Sequence, residues 1–404
     1  MGQKVAIMVG CLSGGGMERV AAQLSVMLSD SGYEVYILVC TFDRKRAYKH
    51  KGRVVVFPCT FFDKSGGIIK EIGSLLHDGY LLAKLKRKYQ IDFTISCAPE
   101  MNLLNMLSRG KDKKILTIHS CLSVRKDFTG LCYRKELFKM YNYSYKVVTV
   151  SKWCKQDLAE HYGVRKNKIE VIYNSVNARE EYDDTERKEN IILVVGRLHN
   201  VKQQWHIIRA FRNVLNEIAD AKLVIAGAGE NGRYLKSLSR KMKIDEQVVF
   251  KGYVSDIGEL YQQAKIVAFS SASEAFPCSV IEAISNGVPV VASDCPGGLR
   301  EVITYNEPCD ERVKGYTLVK CGILVPRFDG RKYNADDPLT KAEIEMSKGI
   351  IYLLKNESVR KNLISNCLVV SKVFDEKKIR DRWKGLLGTE KRGIGTPCRI
   401  KWEF

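Results

Sequence analysis

Short apolar runs and amphipathic segments follow one another along the first part of the chain. Between the first two runs, apolar residues at helical spacing predict a helix over Met17–Ser31 that Gly32 terminates. The runs themselves are nearly continuous, as is typical of strands buried on both faces of a sheet. They predict strands at Lys4–Val9, Tyr33–Cys40, Arg53–Pro58, Phe93–Cys97, Lys114–His119 and Val147–Ser151. Strands that alternate with helices predict a parallel sheet with helices on both faces.

The pattern is interrupted after Asn177 and then starts again. Residues 178–190, AREEYDDTERKEN, are polar and charged and indicate a linker. Later apolar runs predict strands at 191–198, 223–229, 248–254, 266–271 and 288–294. We therefore predict an α/β protein of two doubly wound, Rossmann-like domains, residues 1–177 and 178–373, that face each other across a central cleft. Such sheets bind ligands at the carboxyl ends of their strands, so the cleft is the expected site.

The segment Ile68–Tyr89 combines a helical apolar stripe with a basic end. Its apolar residues recur at 68, 69, 72, 75, 76, 81, 82 and 85, and its basic residues at 84, 86, 87 and 88. One interpretation is a helix packed on the core of the first domain. The other is a helix that also rests on a membrane surface. The pattern leaves both open.

The 404-residue chain carries a formal net charge of +20, most of it in the first domain. Residues 1–178 hold 29 Lys and Arg against 15 Asp and Glu, whereas residues 179–404 hold 37 against 31. A basic surface attracts nucleic acid, anionic lipid headgroups or a phosphorylated substrate, and charge does not choose among them. The sequence has neither an RNA-binding aromatic motif nor a helix-turn-helix pattern, so we expect no nucleic-acid partner.

Composition also bears on metal binding and location. The 13 cysteines are scattered singly, without a CxxC pair or zinc-type spacing, so we expect reduced cysteines and no metal site. No apolar run approaches the roughly 18 residues of a membrane span, and the N-terminal run is too short for a signal peptide. We expect a cytoplasmic protein whose basic first domain is suited to peripheral attachment at the inner face of the cell membrane.

Two glutamates flank the start of a predicted helix in SEAFPCSVIEAISNG, residues 273–287. Glu274 precedes Pro277, and Glu282 lies in an apolar run about a turn and a half into the helix. A carboxylate beside helix-terminal N–H groups can accept hydrogen bonds from sugar hydroxyls, and a buried one needs paired donors such as the diol of a ribose. The alternative is that Glu274 only caps the helix and Glu282 pairs with a core Lys or Arg.

Cations and glycines lie where other predicted strands end. Arg197 and Lys202 follow the strand IILVVGRL and open the next helix, a position suited to clamping a diphosphate. Gly14, Gly15 and Gly16 form the first strand-to-helix turn, where a phosphate can approach backbone N–H groups. The turn is not GxGxxG, and the chain has no GxxxxGK[ST] loop, which argues against a dehydrogenase and a P-loop phosphotransferase.

Two further junctions face the expected cleft. CPGGLREVI places Gly297, Gly298, Arg300 and Glu301 at a turn into a helix, where Arg300 adds a cation. The alternative is a tight turn without a ligand. His119 ends a predicted strand of the first domain, and its position leaves a catalytic and a structural role equally open.

Together, GGMERV, GRL with Lys202, SEAFPCSVIEA and the CPGG-x-x-E turn resemble glycosyltransferase family 4, whose members have the GT-B fold. TVSKWCKQDL, VIYNSVN and GILVP match other characteristic stretches, so the resemblance covers nearly the whole chain. The CP-x-G-x-x-E form is similar to the bacterial branch that builds surface polysaccharides and lipid-linked oligosaccharides.

The resemblance implies roles for individual residues. It implies that Arg197 and Lys202 neutralise the nucleotide diphosphate and that Glu274 holds the donor sugar. His119 is the fourth catalytic candidate, on the ground of its strand-end position. Glu282 would hold the ribose, and the backbone around Gly252 the base. The full set of implied donor contacts is Gly15, Gly16, Gly196, Gly252, Tyr253, Phe276, Pro277, Ser279, Val280 and Glu282. Gly298 and Arg300 are placed on the acceptor side.

The implied reaction is transfer of a sugar from a UDP-linked donor to a glycan or polyprenyl-diphosphate-linked acceptor. The resemblance implies retention of configuration, no cofactor beyond the donor, and no bound metal, because the two cations would replace magnesium. A helix over 374–404, anchored by Trp383, would cross back to the acceptor-binding first domain. Ala275 stands where the family commonly has Gly, so the donor sugar is not carried over. The alternatives are a nucleotide-sugar epimerase of the same fold and a non-catalytic nucleotide- or glycan-binding protein.

Overall fold

The computed structural model describes residues 2–57, 59–60, 67–125, 130–177, 189–305 and 312–388. Its first sheet has seven strands in the order β3-β2-β1-β4-β5-β6-β7, and every neighbouring pair is parallel. The strands are β1 Lys4–Val9, β2 Glu34–Val39, β3 Arg53–Val56, β4 Phe93–Cys97, β5 Lys113–Ile118, β6 Lys146–Thr149 and β7 Ile169–Val171.

The second sheet repeats this plan in the order β10-β9-β8-β11-β12-β14-β13. Only its edge strand β13 is antiparallel to its neighbour among the described strands. The strands are β8 Ile191–Val195, β9 Lys222–Ala226, β10 Val248–Gly252, β11 Ile266–Phe269, β12 Val290–Ser293, β13 Thr317–Val319 and β14 Gly322–Val325. The prediction of two doubly wound parallel α/β sheets is confirmed.

Helices cover both faces of each sheet. They are α1 Gly16–Asp30, α2 Gly67–Tyr89, α3 Pro99–Leu107, α4 Lys135–Phe138, α5 Lys152–Tyr162, α6 Gln204–Leu215, α7 Gly232–Lys241, α8 Gly258–Gln263, α9 Cys278–Ser285, α10 Leu299–Thr304, α11 Lys341–Lys355, α12 Glu357–Ser371 and α13 Glu376–Leu387. Alternate residues of β1 enter different cores: Val5, Ile7 and Val9 pack on the side of α1, and Ala6 and Met8 on the side of α2. A central strand buried on both faces explains the unbroken apolar run.

The predicted strands of the second sheet end earlier than the apolar pattern suggested. Gly196 and Gly227 have φ angles of 148° and 155°, and a Cβ at Gly227 would overlap the Gly196 carbonyl oxygen. These glycines turn the backbone out of β8 and β9 and let the two turns approach closely. The residues that follow, including Arg197, therefore lie in turns at the carboxyl edge of the sheet. The sequence pattern also missed β7 and β13, which have only three residues each.

The last helix packs against the first sheet. Trp383, Ile379 and Leu387 of α13 are buried in the same cluster as the β1 residues on the α1 side. Val176 and Asp375 form an isolated parallel bridge where the chain returns. The predicted helix over 374–404 is thus present as α13, and its residues after 388 lie outside the described part.

The domain boundaries 1–177 and 178–373 stay a prediction. Hereafter the first domain means the sheet β1–β7 with its helices and α13, and the second domain the sheet β8–β14 with its helices.

Within the described residues, no helix combines the length and the apolar character that crossing a membrane requires.

Replacing Trp383 with Ala is expected to destabilise the first domain by about 3 kcal/mol, because it removes a large buried side chain and leaves a cavity. Chemical denaturation followed by far-UV circular dichroism measures the change. The matched control is Lys378→Ala on the exposed face of the same helix, which should change stability by less than about 0.5 kcal/mol. Equal stability of both variants would show that α13 does not hold the first domain together.

Candidate active site

Lys202 and Glu274 meet at the carboxyl edge of the second sheet. The Ser270 hydroxyl, just after β11, donates to the Lys202 carbonyl at 2.8 Å and fixes the turn that carries the lysine. Lys202 Nζ then lies 2.6 Å from Glu274 Oε1, with side chains 24% and 12% exposed. The two predicted catalytic groups are therefore joined in an ion pair. Each neutralises the other in a partly buried site, where an unpaired charge would be costly.

Arg197 is exposed and follows Gly196 in the turn after β8. The Gln204 side chain donates to the Arg197 carbonyl at 2.8 Å and holds the turn between β8 and α6. The guanidinium acts electrostatically on Glu18 of the first domain. Gly196 lies against Lys202, since a Cβ there would be 3.7 Å from the lysine Cε. The structure thus brings Gly196, Arg197, Lys202 and Glu274 together.

Glu282 points out of α9 toward the first domain. Its Oε1 atom is 2.8 Å from Arg19 Nη1 of α1, and its Oε2 atom accepts a hydrogen bond from the Tyr261 hydroxyl at 3.2 Å. Burial raises the pKa of the Glu282 carboxyl, and the arginine and tyrosine counteract this. The alternative that Glu282 pairs with an arginine is what the structure shows, but the partner is a surface residue of the other domain rather than a core one.

The first turn of α9 presents backbone donors beside Glu274. Pro277 is the N-cap residue, and Cys278 and Ser279 occupy the first turn, where N–H groups have no partner within the helix. The Val280 N–H instead donates to the Pro277 carbonyl at 2.9 Å, and the Val280 side chain is fully buried. Phe276 is packed as well, stacked on Tyr173 with ring centroids 5.4 Å apart. The buried side chains of Phe276 and Val280 are therefore not available for the predicted donor contacts.

The glycine turn after β1 faces these groups. Gly14 has a φ of 87°, which favours glycine, and Gly15 is the N-cap of α1. The Glu18 carboxylate folds back over Gly15, so closely that a Cβ there would overlap it. Burial raises the pKa of Glu18, and its own backbone N–H and the Arg197 guanidinium counteract this. The amide donors predicted for a phosphate thus lie next to the Glu18 carboxylate.

The CPGG turn joins the two domains. A Cβ at Gly298 would be 2.5 Å from the Ala275 carbonyl oxygen and 2.8 Å from Ser151 Cβ of the first domain. The Glu301 carboxylate accepts hydrogen bonds from the Lys152 and Trp153 N–H groups at 3.1 and 3.2 Å, which caps α5 across the domain boundary. The glycines therefore permit close contact between domains, and Glu301 stabilises it.

Arg300 is held by an acid of its own domain. Its Nε donates to Asp294 Oδ1 at 2.9 Å, and Nη2 contacts the other carboxylate oxygen. The predicted acceptor contact of Arg300 would therefore require a group that shares this guanidinium with Asp294.

His119 is a neutral hydrogen-bonding group. The Thr117 hydroxyl donates to the Ser96 carbonyl at 3.0 Å, so it accepts from His119 Nε2–H, 2.8 Å away. This fixes the tautomer with a lone pair on Nδ1. Burial lowers the pKa of His119 to about 4. The imidazole therefore stays uncharged near neutral pH and can accept, but not release, a proton at Nδ1. It lines the same pocket as Asn174, whose side chain contacts Cys278 Sγ at 3.3 Å.

Gly252 and Tyr253 end β10 at the edge of the second sheet. Gly252 has a φ of 68°, and its carbonyl accepts from the Gly227 N–H at 2.7 Å. The Tyr253 side chain is 70% exposed. Both lie at the carboxyl edge, where the resemblance places the base.

Among the residues that the structure describes, no three His, Cys, Asp or Glu side chains are grouped so that they could hold a metal ion. The charged groups of the cleft are instead paired with one another, as Lys202 is with Glu274 and Arg19 with Glu282.

Comparison with known families decides what kind of protein has this cleft. Residues 14–180 match the family described as Glycosyltransferase Family 4, and residues 178–321 match the family described as Glycosyl transferases group 1. The chain is a family 4 glycosyltransferase with the GT-B fold. Each match includes charged residues of the cleft. The first match contains Arg19, and the second contains Lys202 and Glu282.

Individual relatives of this glycosyltransferase align with most of its length. It is 26% identical over 400 residues, 96% of this chain and 100% of the relative, to a Campylobacter jejuni N-acetylgalactosamine-N,N'-diacetylbacillosaminyl-diphospho-undecaprenol 4-alpha-N-acetylgalactosaminyltransferase. An uncharacterized glycosyltransferase of Methanocaldococcus jannaschii is 26% identical over 341 residues, 78% of this chain and 83% of the relative. Anabaena HepE, solved in complex with UDP and glucose, superposes with a TM-score of 0.72 at 16% identity, over 95% of this chain and 99% of HepE.

Sequence reasoning missed three residues of the glycosyltransferase cleft. Arg19 stands in the quoted GGMERV motif, yet only the fold brings it to Glu282. Tyr261 lies in α8 without any motif, and its hydroxyl reaches both Glu282 and the Ser279 carbonyl, the latter at 2.9 Å. Glu301 was noted in the CPGG motif without a role. Each of these residues acts through a partner that is distant in sequence.

Replacing Gly298 with Ala is expected to destabilise the domain junction by about 1–3 kcal/mol, because the added methyl group overlaps the Ala275 carbonyl of the second domain and the Ser151 side chain of the first. Chemical denaturation measures the loss. Gly385→Ala is the matched control: its Cβ would meet nothing within 4 Å, and Ala favours the α13 helix, so this variant should be at least as stable as the wild type. A Gly298→Ala variant of wild-type stability would contradict the close junction.

Proposed function

We propose that the chain is a retaining glycosyltransferase that moves an N-acetylhexosamine or hexose from a UDP-sugar to a glycan acceptor, without a bound metal. The observation that carries the proposal is the grouping of Arg197 and Lys202 at the carboxyl edge of one sheet, opposite the glycine turn of the other. Two cations and exposed amides at one point are suited to a diphosphate leaving group. We place the reaction in bacterial surface polysaccharide or lipid-linked oligosaccharide synthesis.

The names of similar proteins support the proposed classes of sugar donor and acceptor. HepE was solved with UDP and glucose, which supports a UDP-linked donor. The Campylobacter relative is named for transfer of N-acetylgalactosamine to a diphospho-undecaprenol-linked saccharide, which supports a lipid-linked acceptor. The second domain would hold the donor and the first domain the acceptor.

In the proposed reaction the donor replaces the ion pairs of the cleft. The diphosphate draws Lys202 away from Glu274, and the freed Glu274 carboxylate accepts hydrogen bonds from the donor sugar. Arg197 and Lys202 then stabilise the negative charge that develops as the glycosidic bond breaks. His119 Nδ1 can accept a hydrogen bond from a sugar hydroxyl. The acceptor hydroxyl attacks from the face that the diphosphate leaves, and retention follows.

The acceptor's lipid would bring the enzyme to a membrane, and α2 offers a surface for this. Ile72, Leu76 and Tyr80 are 43, 59 and 64% exposed, and four-residue spacing places them on one face of the helix. The exposed basic residues Lys84, Arg87 and Lys88 continue toward its C-terminal end. An apolar stripe with a cationic end is suited to an anionic bilayer. We propose peripheral attachment of the first domain through this α2 stripe.

Replacing Arg197 or Lys202 with Ala is expected to lower kcat for sugar transfer at least about tenfold, because each removes a charge that stabilises the departing diphosphate. Radiolabel transfer or mass spectrometry with a UDP-sugar and a lipid-linked saccharide measures it, in buffer with EDTA, where wild-type transfer should persist. Arg240→Ala is the matched control, an exposed arginine in the last turn of α7.

Wild-type rates in both cleft variants would contradict the diphosphate clamp. A UDP-sugar that is altered without any acceptor would favour the epimerase instead, and the absence of any reaction would favour a binding protein.

Replacing Ile72, Leu76 and Tyr80 together with Ser is expected to weaken binding to vesicles that contain anionic phospholipid at least about tenfold, because it removes the apolar surface that would enter the bilayer. Sedimentation with such vesicles measures the partition, and zwitterionic vesicles serve as the comparison. These side chains are exposed, so folding should be unaffected. Equal partition of the variant and the wild type would rule out the α2 stripe.

A further inference from the structure

Two neighbouring residues of the first domain reach across to the donor groups of the second. Arg19 Nη1 is 2.8 Å from Glu282 Oε1, the carboxylate proposed for the ribose. Glu18 lies over Gly15 and within the electrostatic reach of Arg197, a cation proposed for the diphosphate. A cation thus contacts the carboxylate proposed for the ribose, and an anion lies near a cation proposed for the diphosphate.

These contacts are weak enough to be exchanged. The Arg19 side chain is 44% exposed, so solvent screens its attraction to Glu282. The Glu282 side chain is only 15% exposed and keeps the Tyr261 hydroxyl on its other oxygen. A ribose diol can therefore take the arginine's position on Glu282 without leaving the carboxylate unpaired.

We propose that Arg19 is a donor-binding residue that transfers from Glu282 to the diphosphate when the nucleotide enters. The inference rests on the proposed function and adds a third cation, from the first domain, to Arg197 and Lys202. Arg19 lies on the first turn of α1, next to the glycine turn and to Glu18, which faces Arg197. The freed guanidinium therefore remains beside the diphosphate position, and its planar fork of donors is well suited to phosphate oxygens. The same event displaces the Glu18 carboxylate, which repels the diphosphate.

The partner exchange also connects donor binding to the relative position of the domains. Before the nucleotide arrives, Arg19 joins the domains through Glu282. Afterwards Arg19 joins them through the diphosphate, which Arg197 and Lys202 hold from the second domain. Loss of Arg19 should therefore affect a ligand with phosphates differently from one without them, which a merely structural residue would not do.

The test is calorimetric titration of the full chain with UDP and with uridine. Arg19→Gln is expected to weaken UDP binding at least about fivefold, because a charged contact to phosphate is lost. Uridine should bind as tightly or more tightly, because the competitor for Glu282 is removed. Glu18→Gln is expected to tighten UDP binding about twofold or more, since a like charge is removed.

Three controls make the outcome decisive. Arg165→Gln replaces an exposed arginine of the first domain between α5 and β7, away from the cleft, and should match the wild type for both ligands. Arg19→Lys keeps the charge and should recover part of the UDP affinity. Thermal unfolding verifies that each variant is folded.

The results that would overturn the proposal are distinct. If Arg19→Gln binds UDP as tightly as the wild type or more tightly, Arg19 only competes with the nucleotide for Glu282. If the binding of UDP and of uridine is weakened equally, the role of Arg19 is structural. If Glu18→Gln binds UDP as the wild type does, the nucleotide does not displace the Glu18 carboxylate. A wild type that bound no UDP would overturn the proposed function and this inference together.

Discussion

The pairing of opposite charges in the cleft is the interaction on which the rest of this structure depends. Under the proposed function, a group that binds a diphosphate or a ribose keeps its charge in a partly buried place before the ligand is bound. Lys202 and Glu274 meet this requirement within the second domain, and Arg19 and Glu282 meet it between the domains. Each partner substitutes for the ligand group of the other, so desolvation costs little until the donor replaces them.

The contacts between the two domains are buried and closely packed in one region and exposed in another. At the CPGG turn, Gly298 leaves no room for a methyl group and Glu301 caps α5 with two hydrogen bonds. Aromatic packing of Phe276 with Tyr173 and Phe374 continues this contact toward α13. At the cleft, by contrast, the domains meet through the exposed Arg19 side chain. The buried contacts fix how the sheets face each other, and the exposed pair is the part that a ligand can exchange.

The apolar pattern alone was sufficient to predict the two sheets. Central strands such as β1 and β8 are buried on both faces, so their sequences are unbroken runs of apolar residues. It overextended β8 and β9, since Gly196 and Gly227 end those strands while the chain is still apolar. It missed β7 and β13, whose three residues are too few for a periodicity. The motifs predicted one shared region for Arg197, Lys202, Glu274 and Glu282, because the carboxyl ends of parallel strands lie at the same edge of a sheet.

The partners of those residues could not be predicted in the same way. Nothing near Glu282 in the sequence indicates Arg19 or Tyr261, and nothing near Glu301 indicates the N-terminus of α5. The protonation of His119 also depends on burial and on Thr117, not on its strand-end position. Sequence spacing reports which groups lie at the edge of a sheet, whereas ion pairs across the cleft depend on how the two domains face each other.

A crystal structure of the chain soaked with UDP tests the central claim most directly. The account predicts phosphate oxygens about 3 Å from the Arg197 guanidinium and the Lys202 ammonium, with the ribose hydroxyls on Glu282. It also predicts that Lys202 has left Glu274 and that Arg19 has left Glu282. A nucleotide bound elsewhere, or one bound while both ion pairs persist, would contradict it.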